Sequence, residues 1–119
     1  MYMKMRGDSM YFFEPGTFIK DVRRELKRSN VEMLTIASAY ISIEGVKYIR
    51  AVLKDLHIPY VRIFCSTTFS ESEHRRILTS LEELADVYIV HESFLHAKVV
   101  EIETVDKGYI RYCGSANMT

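Results

Sequence analysis

The chain has 119 residues, which is enough for one domain and too few for two. Apolar residues make up 48% of the sequence, so it can fill a core and is not a disordered segment. Its 16 basic and 16 acidic residues cancel, whereas a free-standing nucleic-acid binder usually has a basic excess; any contact with DNA or RNA therefore has to come from a local patch, a dimer cleft or another domain.

The first predicted elements are a short apolar run, Met10–Phe13, and the helix that follows it. The turn signal Glu14-Pro15-Gly16 separates the two, and Thr17 can cap the helix. Apolar residues repeat at i, i+4 and i+8, at Phe18, Val22 and Leu26. The opposite face of the helix carries five cations, Lys20, Arg23, Arg24, Lys27 and Arg28. Such a face is more often simply solvated than bound to phosphates, and both interpretations stay open.

Alternating strands and helices follow this first helix. Three apolar runs predict buried strands: Val31–Ile41, Tyr60–Ser66 and Val87–Val90. Two stretches of helical periodicity lie between them, Glu44–Leu56 and Ser70–Leu84, and the second opens with capping-box spacing. Two last strands, Phe94–Ile102 and Tyr109–Cys113, are joined by the turn sequence Asp106-Lys107-Gly108. This order predicts an α/β domain with a mostly parallel or mixed central sheet flanked by helices.

Two short polar signatures accompany the last two strands: His96-Ala97-Lys98 and Gly114-Ser115-Ala116-Asn117. Because alternate side chains of a strand share one face, His96 and Lys98 project together, an imidazole beside a fixed positive charge. The second signature follows one hairpin later and supplies small hydrogen-bonding groups. Together they are the groups needed to attack a phosphodiester and to hold its non-bridging oxygens.

The spacing of these residues resembles the signature of the phospholipase D superfamily. It is His96-x-Lys98, four residues, Glu103, and then Gly114-Ser115-x-Asn117, with Glu103 standing where the family has Asp. The resemblance implies a phospholipase D-like α/β sandwich and a phosphodiester hydrolase that needs no cofactor and no metal. Its short layout with a single motif looks more like the bacterial nuclease branch than the larger lipid enzymes with two motifs.

The resemblance also implies a role for each motif residue. His96 would be the nucleophile that forms a phosphohistidine, and Lys98 and Asn117 would hold the phosphoryl oxygens. Ser115 would hydrogen-bond the phosphate or orient His96, and Gly114 would let the backbone approach closely. On a regular strand, Glu103 points to the face opposite His96, so it would hold a turn or pair with a cation without touching the phosphate.

One histidine does not complete such a site, because the leaving oxygen needs a proton and the intermediate needs an activated water. The family uses a second His-Lys-Asn set for this, and the chain carries one set, which implies a homodimer with two-fold symmetry. The sequence stops at Thr119, two residues after Asn117. We therefore expect residues 1–119 to be a nuclease domain truncated at its C-terminal side, from the N-terminal part of a restriction endonuclease or a helicase-linked nuclease.

The remaining features of the sequence concern its cysteines, metal sites and cellular compartment. Cys65 and Cys113 stand in apolar runs and are expected to be buried free thiols. No Cys/His spacing typical of a metal site occurs, and no segment has the length of a membrane span or the pattern of a signal peptide, so the expected compartment is the cytoplasm.

The leading hypothesis is a nuclease, with DNA favoured over RNA. The alternatives are a phospholipase or phosphatidyl transferase, for which the motif region offers no apolar mouth, and a non-catalytic DNA-binding or dimerisation module with the same fold.

Overall fold

The structure is a computed structural model, and it describes residues 2–38, 41–66, 76, 79–90, 98–106 and 108–114. Their seven strands form one sheet: β1 (Tyr2–Arg6), β2 (Ser9–Phe13), β3 (Val31–Ser38), β4 (Tyr60–Ser66), β5 (Asp86–Val90), β6 (Lys98–Thr104) and β7 (Gly108–Gly114). The helices of the described residues are α1 (Pro15–Arg28) and α2 (Ile43–Asp55), with a short 3-10 turn at Ser80–Glu83. The strand order across the sheet is β2-β1-β7-β6-β3-β4-β5.

The sheet is mixed, which confirms the α/β class and, of the two expected arrangements, the mixed one; it is not mostly parallel. The β3–β4 and β4–β5 pairs are parallel, and the other four neighbouring pairs are antiparallel. The difference comes from the two hairpins, β1–β2 and β6–β7. The first was not predicted, although Gly7-Asp8 between Arg6 and Ser9 is its signal. Gly7 has a φ of 58°, and glycine adopts this conformation without strain at the first position of a two-residue hairpin turn.

Both helices pack on the same face of the sheet, which we call the helix face. A small cavity of about 40 Å³ lies between α1, α2 and the strands, lined among others by Val22, Leu34, Val52 and Val100. The alternate residues of the strands face the other way, and in β1 and β2 they include exposed Met5 and Met10. Among the described residues no helix covers that second face, so the expected flanking helices are seen on one side.

The starts of the helices follow from local sequence. Pro15 occupies the first turn of α1, where its missing N–H and fixed φ are tolerated, so the helix begins two residues before the predicted cap at Thr17. The Thr17 hydroxyl instead donates to the Glu14 carbonyl at 2.9 Å. Ser42 caps α2, because its side chain accepts a hydrogen bond from the Gly45 N–H at 3.0 Å. Most of the helix predicted from Ser70 lies outside the described residues.

Several strands end, and both helices begin, at one edge of the sheet. The parallel strands β3, β4 and β5 all end there, so we call it the carboxyl edge. The registers place the start of β6, at Lys98, and the end of β7, at Gly114, at this same edge. β2 also ends there and leads into α1, while β3 leads into α2, so both helices begin at the carboxyl edge. Across the described ranges, no helix combines the length and apolarity that crossing a membrane requires.

Candidate active site

A row of residues crosses the carboxyl edge on the helix face. Lys98 in β6 lies opposite Gly114 in β7, Gly114 lies opposite Tyr2 in β1, and Tyr2 lies opposite Phe13 in β2. Continuing the β3–β6 register by one residue brings Ser38 opposite Lys98. Lys98 is on the helix face because every second residue of β6 is buried there, as the alternation of its sequence predicts.

The Lys98 ammonium group is buried without a partner. The residue is 2% exposed, and its Nζ has no hydrogen-bond partner within the part of the chain that the structure describes. Burial lowers the pKa of Lys98 to about 8, because removing water disfavours the charged form. An unsatisfied buried ammonium is costly, and a bound anion would supply both the missing charge and the missing acceptors.

The helices add to the positive potential at this edge. α1 and α2 both begin there, and the N-terminal end of a helix carries partial positive charge. Two helix starts and a buried lysine therefore favour a negatively charged ligand at the carboxyl edge. This is the electrostatic requirement for holding the oxygens of a phosphodiester.

Gly114 is required by the packing of the Tyr2 ring. A Cβ added to Gly114 would lie 2.1 Å from Tyr2 Cδ1, which is far inside van der Waals contact. The ring cannot easily move away, because it stacks on Phe18 with a centroid distance of 4.0 Å and an interplanar angle of 12°. The absence of a side chain at Gly114 thus makes room for an aromatic side chain of the same chain, and the predicted approach of its backbone to a phosphate stays a prediction.

Glu103 lies on the face of the sheet opposite Lys98, as its position along the strand predicted. It is half-buried, between Met33 of β3 and Tyr109 of β7. It lies five positions along the strand from Lys98, which is about 17 Å at 3.4 Å per residue. Among the described residues it has no ion pair; the acid of β6 that pairs with a cation is Glu101, whose Oε2 lies 2.8 Å from Arg111 Nη2.

The other predicted site residues, His96, Ser115 and Asn117, lie outside the described residues, so their roles stay predictions. Of the six motif residues, the structure brings Lys98 and Gly114 together and sets Glu103 apart. The described residues hold no group of His, Cys, Asp and Glu side chains suited to a metal ion.

The two cysteines have different environments. Cys65 is a buried free thiol, as predicted, and burial raises its pKa to about 11, so it is a poor nucleophile. Cys113 is also free but only half-buried, on the face of the sheet away from the helices, because that face has no described helix over it.

A buried charge cluster between β1, β7 and α1 was missed by the sequence reasoning. Lys4 Nζ lies 2.8 Å from Asp21 Oδ2, and the Tyr112 hydroxyl donates to the same oxygen at 2.6 Å. Glu25 pairs with Arg6, and its second oxygen lies 2.9 Å from Arg28 Nε. Two acids at i and i+4 beside the apolar stripe of α1 were the available signal.

The pKa values in this cluster follow its pairing. Burial alone would raise the pKa of Asp21, but hydrogen bonds from Lys4 and Tyr112 outweigh it, and the pKa lies below its ordinary value. Burial, reinforced by the bond to Asp21, raises the pKa of Tyr112. The cluster is therefore internally compensated, unlike Lys98.

Comparison of the chain with models of known protein families, with curated proteins and with solved structures gives no match. The function of the carboxyl edge therefore has to be argued from its own geometry and from the motifs of the sequence.

Proposed function

We propose that the protein is a phosphodiester hydrolase of the phospholipase D type that cleaves nucleic acid. The observation that carries this proposal is the buried Lys98 ammonium, which has no partner among the described residues and lies at the carboxyl edge, the edge at which α1 and α2 also begin. A phosphoryl group fits this environment because its oxygens supply negative charge and several acceptors. The motif residues His96, Ser115 and Asn117 supply the rest of the chemistry.

The proposed reaction has two displacements at phosphorus. Neutral His96 attacks, so that a P–N bond forms while the P–O bond to the leaving group breaks and the leaving oxygen takes a proton. Water then attacks the phosphohistidine, loses a proton to a base, and the P–N bond breaks to give a phosphate monoester and free His96. Lys98 and Asn117 hold the non-bridging oxygens in both steps.

A second His96 from the other subunit of a two-fold dimer would serve as the acid in the first step and the base in the second. Lys98 and Asn117 are poorly suited to this role, whereas imidazole titrates near neutral pH. Two histidines in one pocket disfavour double protonation, so that one is neutral when the other is charged. An isologous dimer interface would bring the two together.

The nucleophile is tested with His96→Ala in the full-length protein, assayed on bis(p-nitrophenyl) phosphate and on plasmid DNA in excess EDTA. We expect wild-type activity to survive EDTA and the variant to lose at least about 10³-fold in rate, with an unchanged circular dichroism spectrum. His57→Ala is the matched control, since His57 is an exposed histidine. Near wild-type cleavage by His96→Ala would remove His96 from the mechanism, and loss in EDTA restored by Mg²⁺ would indicate a different class of enzyme.

The shared site is tested by mixing unfolded wild-type and His96→Ala chains in known ratios and refolding them together. If each site needs both histidines, mixed dimers are inactive and activity falls with the square of the wild-type fraction. A linear fall would show that each subunit works alone.

A further inference from the structure

A groove of about 520 Å³ lies between α1 and α2 on the outer surface of the helix layer. The side chains that line it are five cations and one tyrosine: Lys20, Arg23, Arg24, Lys27, Arg28 and Tyr48. No carboxylate is among these described lining residues. Because both helices begin at the carboxyl edge, the groove runs away from the edge at which Lys98 lies.

The cations of the groove are of two kinds. Arg24 and Arg28 pair with the buried acids Asp21 and Glu25 and belong to the charge cluster described above. Lys20, Arg23 and Lys27 have no ion pair with any described residue, and all three are exposed. In a chain whose formal net charge is +0, three uncompensated cations side by side are a local concentration of charge.

The three free cations form a line along α1. Their spacing of three and four residues puts them on one side of the helix, and the seven positions between Lys20 and Lys27 correspond to about 10 Å at 1.5 Å per residue. One strand of duplex DNA presents a phosphate about every 3.4 Å along its axis. The line therefore matches about three successive phosphates. Tyr48, 38% exposed on the other wall, offers an aromatic surface to a base or a sugar.

From this arrangement we infer that the groove between α1 and α2 binds the sugar-phosphate backbone of DNA and leads the strand to the carboxyl edge. The inference rests on the proposed function for the position of the cleaved phosphate, but not for the binding itself. An anionic membrane is the less favoured partner, because a membrane-binding helix flanks its cations with apolar side chains that insert. Among the side chains of α1 that the structure describes, the exposed ones are the cations and Thr17, and none is apolar.

The test removes the three free cations together, as Lys20→Gln, Arg23→Gln and Lys27→Gln, because glutamine keeps the helix propensity of lysine and arginine. It is made in a full chain that also carries His96→Ala, so that the DNA stays intact. The probe is a fluorescein-labelled 20-base-pair DNA, and its anisotropy gives the dissociation constant at several salt concentrations. We expect binding to weaken at least about 10-fold in low salt, and the slope of log K against log salt to fall by about 2 to 3.

The matched control is the triple change Lys47→Gln, Lys54→Gln and Arg76→Gln. It removes the same charge from exposed positions that do not line the groove, and we expect its dissociation constant to stay within about two-fold of the parent. Equal losses in both triple variants, or no loss in the groove variant, would overturn the inference. The inference would also be overturned if the protein bound phosphatidylglycerol vesicles through the groove cations and did not bind DNA.

The experiments distinguish an error in the inferred DNA-binding groove from an error in the proposed function. If the proposed function is wrong, wild type does not cleave bis(p-nitrophenyl) phosphate, or His96→Ala cleaves it equally well, whatever the anisotropy shows. If only the groove is wrong, cleavage of the small diester depends on His96 while DNA binding ignores Lys20, Arg23 and Lys27.

Discussion

Two buried lysines on the same face of the sheet have opposite surroundings. Lys4 is 6% exposed and Lys98 is 2% exposed. Lys4 Nζ lies 2.8 Å from Asp21 and 3.8 Å from Glu25, and it lies 5.5 Å from the centre of the Tyr112 ring. Lys98 Nζ has no such partner within the described ranges. Burial of a charge is tolerated when partners replace water, so Lys4 belongs to the fold, whereas Lys98 is suited to a partner that arrives as a ligand.

The largest expected effect is on catalysis at Lys98. Replacing Lys98 with methionine removes the charge that, in the proposed mechanism, holds the phosphoryl oxygens, and we expect the rate of cleavage of bis(p-nitrophenyl) phosphate to fall by about 10³-fold or more. The wild-type rate should also decline as the pH rises above about 8, because the free lysine then loses its proton. Lys54→Met, at an exposed position, is the control. Retention of most activity by Lys98→Met would assign Lys98 to packing alone.

Lys4 is expected to show the opposite behaviour, a loss of stability. Lys4→Met leaves the carboxylates of Asp21 and Glu25 buried with fewer partners, so the free energy of unfolding in urea should fall by about 3 kcal/mol. The double change Lys4→Met and Asp21→Leu should recover part of this loss, because it also removes a stranded charge. A loss under about 0.5 kcal/mol for the single change would show that Arg24, Arg6 and Arg28 compensate the acids by themselves.

The sequence predicted the surroundings of one lysine better than those of the other. Lys98 stands in a strand, so the face that it occupies, opposite that of Glu103, follows from a period of two residues. The Lys4 cluster joins residues that are 17 positions apart, Lys4 and Asp21, and 91 apart, Asp21 and Tyr112. No local pattern contains such pairings, because they depend on β1 pairing with β7 and on α1 packing against both strands.

The mixed sheet was partly missed for the same reason. The periodicity of β3 to β5 predicts crossovers through helices, but the hairpin signal at Gly7-Asp8 was not used, and its two strands add antiparallel pairs. The sequence predicted that the strands of the two signatures are joined by a hairpin, and the structure pairs them as β6 and β7, with Lys98 opposite Gly114. It could not predict that Gly114 is fixed by the Tyr2 ring, since the two are at opposite ends of the chain.

Gly114 lies between the two strands that carry the lysines, opposite Tyr2 in β1 and opposite Lys98 in β6. Its replacement is expected to have an effect of intermediate magnitude on stability. Gly114→Ala forces Tyr2 off its stack with Phe18, and we expect the free energy of unfolding to fall by about 2 kcal/mol. Shortening the partner, as Tyr2→Val, should make the added methyl group harmless, so the alanine change costs much less in that background. Equal costs in both backgrounds would show that the Tyr2 ring is not the obstacle.

The smallest expected effect is a gain in stability, and it distinguishes the two lysines most directly. Lys98→Met removes a buried ammonium that has no described partner, so we expect the free energy of unfolding at pH 7 to rise by about 1–2 kcal/mol, whereas Lys4→Met lowers it.

The pKa of Lys98 is about 8 in the folded chain and near its ordinary value of 10.5 when unfolded. Between these values the unfolded chain binds a proton that the folded chain does not, so the stability contribution of Lys98 rises with pH in that interval. The gap between Lys98→Met and wild type should thus be full below pH 8 and shrink as the pH rises from about 8 towards 10.5, which parallel urea titrations can measure. A gap of the opposite sign at pH 7, with the variant the less stable protein, would mean that Lys98 already has a compensating partner in the free protein.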